Sequence, residues 1–188
     1  MNQNFTQYAF TPPVKQIQEE NGSRRSYSRT ETSGDRYILT DEENSFIESR
    51  DSFYMGTVGE NGWPYVQHRG GPIGFLTVID QHTLAMADYT GNRQYISTGN
   101  INSNQKVSLF LIDYPNRRRL KIWAEAKIVK TTDDSSLLKR VSDSTYTATI
   151  ERLMIFTVKA FDWNCSQHIT PRYTMEDITD NKGEEWIE

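Results

Sequence analysis

From Arg119 to Val129 the side chains alternate in polarity. Leu120, Ile122, Ala124, Ala126 and Ile128 fall on one face, while Lys121, Glu125 and Lys127 fall on the other, with Trp123 among them. A period of two is that of a β-strand with one face buried. The small residues Ala124 and Ala126 on the apolar face suit a tight barrel interior, where large side chains would not all fit.

Other runs follow the same grammar. Ser52–Val58 and Pro64–Arg69 read as strands around the turn Glu60-Asn61-Gly62, since Asn-Gly tolerates positive φ. Phe75–Ile79 and Thr83–Tyr89 flank the turn Asp80-Gln81-His82, and Lys106–Ile112 and Leu153–Phe161 are two further apolar strands. Thr40-Asp41-Glu42-Glu43 is a capping box that predicts a helix anchored by Phe46 and Ile47. A loop leading to a short helix is expected over Thr90–Asn104, and another helix after Thr132-Asp133-Asp134. Residues 1–36 read as an irregular arm with a short helix around Val14–Glu20, either loose or wrapped on a partner subunit. Residues 37–165 read as the β domain and 166–188 as a polar C-terminal tail with a short helix near Glu176. Short strands at hairpin spacing with few helices point to an antiparallel barrel or sandwich.

The bulk numbers narrow the functions. With 188 residues the chain can bury a core without disulfides or metal. A net charge of -4 and a pI near 5.5 argue against a nucleic-acid binder. The single cysteine, Cys165, excludes an internal disulfide and fits a reducing compartment. Met1–Phe10 shows no basic stretch followed by an apolar one, and no apolar run approaches a membrane span, so the expected location is the cytoplasm. His68, His82 and His168 share no metal-ligand spacing, and no metal site is expected. No phosphate-loop, dinucleotide or nucleophile-elbow motif is present, and no side chain is singled out as catalytic.

The arginines hold more information. Arg69 ends a strand beside Gly70-Gly71, Arg93 follows Gly91-Asn92 ahead of a short helix, and Arg117-Arg118-Arg119 opens a strand. Guanidinium groups match phosphate oxygens, and a turn entering a helix offers backbone N–H groups to the same anion. Arg69, Arg93 and Ser97 together would hold a phosphomonoester. Taken alone, however, the residues read better as surface arginines paired with carboxylates. Tyr89, Trp123, Trp163 and Tyr173 are likewise either walls for a planar ring or ordinary core and interface aromatics.

The stretch Tyr65–Ala126 contains "QHRGG", "ADYTGNRQYISTGNI", "NQKVSLFLID" and "RRRLKIWAEA", and Trp163–Tyr173 reads "WNCSQHITPRY". In order and spacing these resemble the pyridoxamine 5'-phosphate oxidase-like family of FMN-binding split barrels. The resemblance implies a mainly β chain, a six-stranded antiparallel split β-barrel with a few short helices. It implies a homodimer with two FMN sites at the subunit interface. Carried over by position, Gln67, His68 and Arg69 would run along the flavin toward its phosphate. Asp88 and Tyr89 would line the ring or ribityl chain, and Asn92, Arg93 and Ser97 would hold the phosphate. Lys121 and Trp123 would come from the partner chain, and Gln167-His168 would close over the ring. The chain departs from the oxidase itself: it lacks the C-terminal Arg-x-His substrate pair, and Ser97 stands where a lysine is usual.

Three functions stay open on this reading. The first is an FMN-dependent oxidoreductase acting on an unknown small-molecule substrate or electron donor. The second is a non-catalytic flavin-binding sensor or storage protein. The third is a binding module for another planar ligand such as haem, with His168 as axial ligand.

Overall fold

The alternating run at Arg119 lies at the centre of one antiparallel sheet. A computed structural model describes residues 4–34 and 36–180. Its strands are β1 (Ser52–Val58), β2 (Pro64–Gly70), β3 (Thr77–Asp80), β4 (Thr83–Tyr89), β5 (Lys106–Asp113), β6 (Arg118–Val129) and β7 (Ile150–Trp163). They pair in the order β2-β1-β5-β6-β7-β4-β3. The helices are α1 (Thr6–Ala9), α2 (Pro12–Glu20), α3 (Arg24–Thr32), α4 (Asp41–Glu48), α5 (Ile96–Ser103), α6 (Ser135–Val141) and α7 (Met175–Asp180). The chain is mainly β, but the strand count implied by the resemblance is corrected from six to seven. The extra strand is the four-residue β3, which pairs with β4 alone. Among the described residues the ladder leaves β2 and β3 as its two ends.

Local chemistry explains the joints. Between β1 and β2, the Gly62 N–H donates to the Gly59 carbonyl at 2.8 Å and Gly62 adopts φ 83°. A side chain there would be strained. In α4 the capping box forms as read from the sequence: Glu43 Oε2 accepts from the Thr40 N–H at 3.0 Å and from Thr40 Oγ1 at 2.6 Å. The other Glu43 oxygen accepts from Trp163 Nε1 at 2.7 Å, tying the helix start to the end of β7. Glu43 is therefore buried without being unsatisfied.

The sheet is strongly curled. Phe53 on β1 and Phe156 on β7 meet edge to face with centroids 6.5 Å apart, although β5 and β6 lie between them. Flat strands at about 4.8 Å spacing would separate them by roughly 14 Å. Curling gathers Phe53, Met55, Leu84, Leu109, Leu120, Ile122 and Phe156 into one dry core. Burying each such side chain contributes about 1.5–3 kcal/mol, which makes this core the main stabilising element. On β6 the even-numbered residues from Leu120 to Ala126 are buried, as the alternation predicts.

In the N-terminal segment the helix expected around Val14–Glu20 is present as α2, but the rest is not an irregular arm: α1 and α3 flank it within residues 6–32. The reason lies in tertiary contacts. Asn4 is buried, and its Nδ2 donates to the carbonyls of Thr30, Glu31 and Ser33, capping the end of α3. Glu31 pairs with Lys15 of α2 and Arg24 of α3, each at 2.8 Å. Phe5 leaves this helical cluster to stack on Trp123 of β6 at 5.7 Å. Among the described residues, no helix is long and apolar enough to cross a membrane.

Glu43→Ala removes the cap and leaves the Trp163 N–H without its acceptor. The expected loss of unfolding free energy in urea denaturation is about 2–4 kcal/mol, whereas exposed Asp41→Ala should stay within about 0.5 kcal/mol.

Candidate functional site

Where the curled sheet brings β2 against β4, side chains from opposite ends of the ladder meet. Gln67 and Arg69 share one face of β2, and the core-facing rows of β4 end at Asp88. Arg69 Nη1 donates to Asp88 Oδ1 at 2.6 Å. On the neighbouring strand β7, Arg152 Nε lies 3.6 Å from Asp88 Oδ2. Both sides of the Arg69–Asp88 pair are nearly buried, with side-chain exposures of 11% and 8%.

The β4–α5 turn supplies the opposite wall. Arg93 and Tyr95 both adopt left-handed backbone, at φ 59° and 55°. Asn92 Oδ1 accepts from the Gln94 N–H at 3.1 Å, which shapes the turn. Arg93 Nε donates to the Tyr95 hydroxyl at 3.1 Å, and that hydroxyl donates to Glu151 Oε1 at 3.3 Å. Ser97, in the first turn of α5, is buried and donates to Gln67 Oε1 at 2.7 Å. Asn100, one turn on, donates to Thr57 of β1 at 3.0 Å and pins α5 to the sheet. These walls line a cavity of about 130 Å³ that opens to solvent along the exposed Gly91–Arg93 rim.

Of the residues singled out from sequence, Gln67, Arg69, Asp88, Tyr89, Asn92, Arg93 and Ser97 line this cavity together. His68 does not: the strand period turns it to the other face of β2, where it packs edge-on against Tyr54 at 5.6 Å. Lys121 and Trp123 lie on the outer face of β6, beneath Phe5, and Lys121 pairs with Asp162 at 3.4 Å. Gln167 and His168 sit in the exposed segment after β7. The structure adds Tyr95, Thr98 and Glu151 to the lining, with Arg152 behind it. Arg152 Nη1 donates to Thr98 Oγ1 at 3.0 Å, its Nη2 pairs with Glu151, and its guanidinium lies 4.7 Å over the Tyr95 ring. The one sequence signal for this pair is the adjacent charged step Glu151-Arg152 ahead of the apolar run Leu153–Phe156.

The cavity has anion-binding features. Arg69 Nε and the Tyr89 hydroxyl are buried and have no hydrogen-bond partner among the described residues. Buried donors left in this way call for a partner. Tyr95, at the N-cap of α5, adds no side-chain cap, so the first turn keeps N–H groups for an anion. Burial pushes the Asp88 carboxyl above its ordinary value, against the opposing pull of Arg69 and Arg152. Burial likewise raises the Tyr89 phenol, helped by Tyr146 and Asp143, so Tyr89 is a donor at neutral pH. Among the described residues, no group of three or more His, Cys, Asp or Glu side chains is placed to hold a metal.

The family model for pyridoxamine 5'-phosphate oxidase matches residues 39–164, which takes in the whole sheet and the cavity. The chain belongs to the pyridoxamine 5'-phosphate oxidase family. No curated protein matches it. Among solved structures it is similar to a candidate pyridoxamine 5'-phosphate oxidase of Lactobacillus delbrueckii, with 22% identity over 67% of this chain and 94% of the other, at a TM-score of 0.51. A Clostridium acetobutylicum protein related to general stress protein 26 shares 18% identity over 73% and 94%, at 0.50. An FMN-binding protein of Syntrophomonas wolfei shares 15% over 65% and 83%, also at 0.50. At these identities the likeness is one of fold.

The Asp88 carboxyl tests the electrostatics of the cavity. Its resonance in a ¹³C-detected pH titration should move at a pH above that of an ordinary aspartate. Arg69→Ala, which removes an opposing positive charge, should push it higher still. The folded protein holds this proton more tightly than the unfolded chain does. The contribution of Asp88 to stability is therefore full in acid and is lost as pH rises through the raised value.

Proposed function

We propose that the protein binds FMN, with the phosphate in the cavity between β2, β4 and α5, and serves as an FMN-dependent oxidoreductase. The observation that carries the reading is the convergence of Arg69, Ser97 and the uncapped α5 N-terminus on one cavity. Arg69 would bind the phosphate through the part of its guanidinium that Asp88 leaves uncommitted, and the first-turn N–H groups of α5 would complete the cradle. Arg93 would add charge from the exposed rim, and Gln67 and the Tyr89 hydroxyl would orient the chain leading to the ring. A bound flavin would supply electron or hydride transfer; the protein would position it and tune its potential. The FMN named for the Syntrophomonas protein of the same fold supports the choice of cofactor.

The cavity is small beside the roughly 300–1,000 Å³ of a whole-ligand site, so one chain houses only part of such a cofactor. The rest of the site is proposed to come from a second copy, in the homodimeric split-barrel arrangement. The outer face around β1 and β2 supports this: Tyr54, Val58, Trp63 and Val66 are exposed there, Trp63 by 75% and Val66 by 64%. In such a dimer Lys121 and Trp123 of the partner subunit, with the Gln167-His168 segment, would flank the ring. The missing Arg-x-His pair favours a second reading, flavin binding without turnover.

The test is the visible spectrum of the purified protein with added FMN, run through size exclusion. Flavin bands co-eluting with a dimer are expected. Arg69→Ala should weaken FMN binding by about 1.5–3 kcal/mol, as for a lost hydrogen bond to a charged group. Unchanged affinity would remove the phosphate assignment. Reduction of bound FMN by a nicotinamide or a primary amine faster than free FMN separates an oxidoreductase from a flavin store.

A further inference from the structure

Two non-glycine residues in left-handed backbone, Arg93 and Tyr95, sit within three positions of each other at the mouth of the cavity. Backbone of this kind persists only where its surroundings hold it. The ties that hold this turn to β7 run through Glu151 and Arg152. Glu151 accepts from the Tyr95 hydroxyl and attracts Arg93 within the turn. Arg152 reaches further: it covers the Tyr95 ring, donates to Thr98 in the first turn of α5, pairs with Glu151 and stands beside Asp88. It does so from behind the wall, since it is not itself among the residues lining the cavity.

We propose that Arg152 is the positioning residue of the anion site. Its guanidinium locks the Tyr95–Thr98 turn to β7, so that the N–H groups opening α5 face the cavity. By sharing Asp88 with Arg69 it also holds the Arg69 guanidinium at the cavity wall. A planar fork is needed, because the contacts diverge: a hydroxyl on α5, carboxylates on β4 and β7, and an aromatic face. A lysine keeps the charge but cannot make these contacts at once.

This rests on the phosphate reading above, and the test separates the two. Dissociation constants for FMN and for riboflavin, which lacks the phosphate, are measured on the full chain, wild type, Arg152→Ala and Arg152→Lys. Wild type should prefer FMN. Arg152→Ala should lose about 10- to 100-fold in FMN affinity, by analogy with the loss when the outer hydrogen-bond partner of a metal ligand is removed. Riboflavin affinity should hardly change, so the preference collapses. Arg152→Lys should fall close to Arg152→Ala. An intact FMN preference in Arg152→Ala, or its full return in Arg152→Lys, overturns the assignment. So does an equal loss for both ligands, which marks a merely structural role. Should Arg152→Ala fail to fold, the FMN-to-riboflavin ratio in Arg152→Lys decides alone. A wild type that binds riboflavin as well as FMN removes the phosphate reading itself, and the Arg152 assignment with it.

Discussion

The Arg69–Asp88 ion pair closes a gap that the hydrogen-bond ladder leaves open. In the ladder β2 and β4 are separated by β1, β5, β6 and β7. Laid flat at about 4.8 Å per strand they would be roughly 24 Å apart, yet these two side chains touch at 2.6 Å. The curl that allows this also lets Phe53 reach Phe156 and gives the core its shape. A buried ion pair is weak evidence for net stability, because desolvation offsets much of the attraction. Its effect here is geometric: it fixes which rungs of the two strands face one another. Ser97 with Gln67, and Asn100 with Thr57, bridge from α5 to the same end of the sheet.

The site follows from that closure. Along β4, Leu84 and Met86 belong to the dry core, and Asp88 is the next residue of that row. Along β2, Gln67 and Arg69 alternate with the exposed Val66 and His68. The interior thus turns from apolar to charged within one strand repeat at its rim. Charges placed there act through little water, so a ligand charge meets them more strongly than at an open surface. The same burial raises the Asp88 carboxyl.

Much of this architecture was legible in the sequence where the determinants are local. The period-two run of β6, the Thr40–Glu43 box and the Asn61-Gly62 turn each act through near neighbours, and each formed. The residues themselves indicated seven strand runs; the count of six came with the family resemblance. Of the N-terminal helices only α2, expected around Val14–Glu20, was legible; α1 and α3 were not, because long-range contacts hold that segment, Asn4 on the carbonyls ending α3 and Phe5 on Trp123. In the cavity, the stretches Gln67–Arg69 and Asp88–Ser97 came with the family resemblance; the residues alone read as arginines paired with carboxylates, as Arg69 is with Asp88. The position of His68 was readable, since alternation cannot put it on the same face as both its neighbours. Arg152 was not, because its role depends on the β4–β7 register that sets it opposite Asp88.

Net charge was a poor guide to the cavity for a related reason. The chain carries a net charge of -4, and two carboxylates, Asp88 and Glu151, line the cavity with Arg69 and Arg93. Each carboxylate is engaged by a guanidinium, so neither stands as a free negative charge toward an incoming anion. The donors that remain at the cavity wall, the rim guanidinium of Arg93 and the first-turn N–H groups of α5, point the balance of hydrogen bonding the other way. Anion selectivity in such a site comes from which donors are left over once the internal pairs are made, not from the total charge. The internal pairs keep the arginines ordered, which lowers the entropic cost of presenting them to a ligand. A fully basic pocket would repel itself and would lack that order.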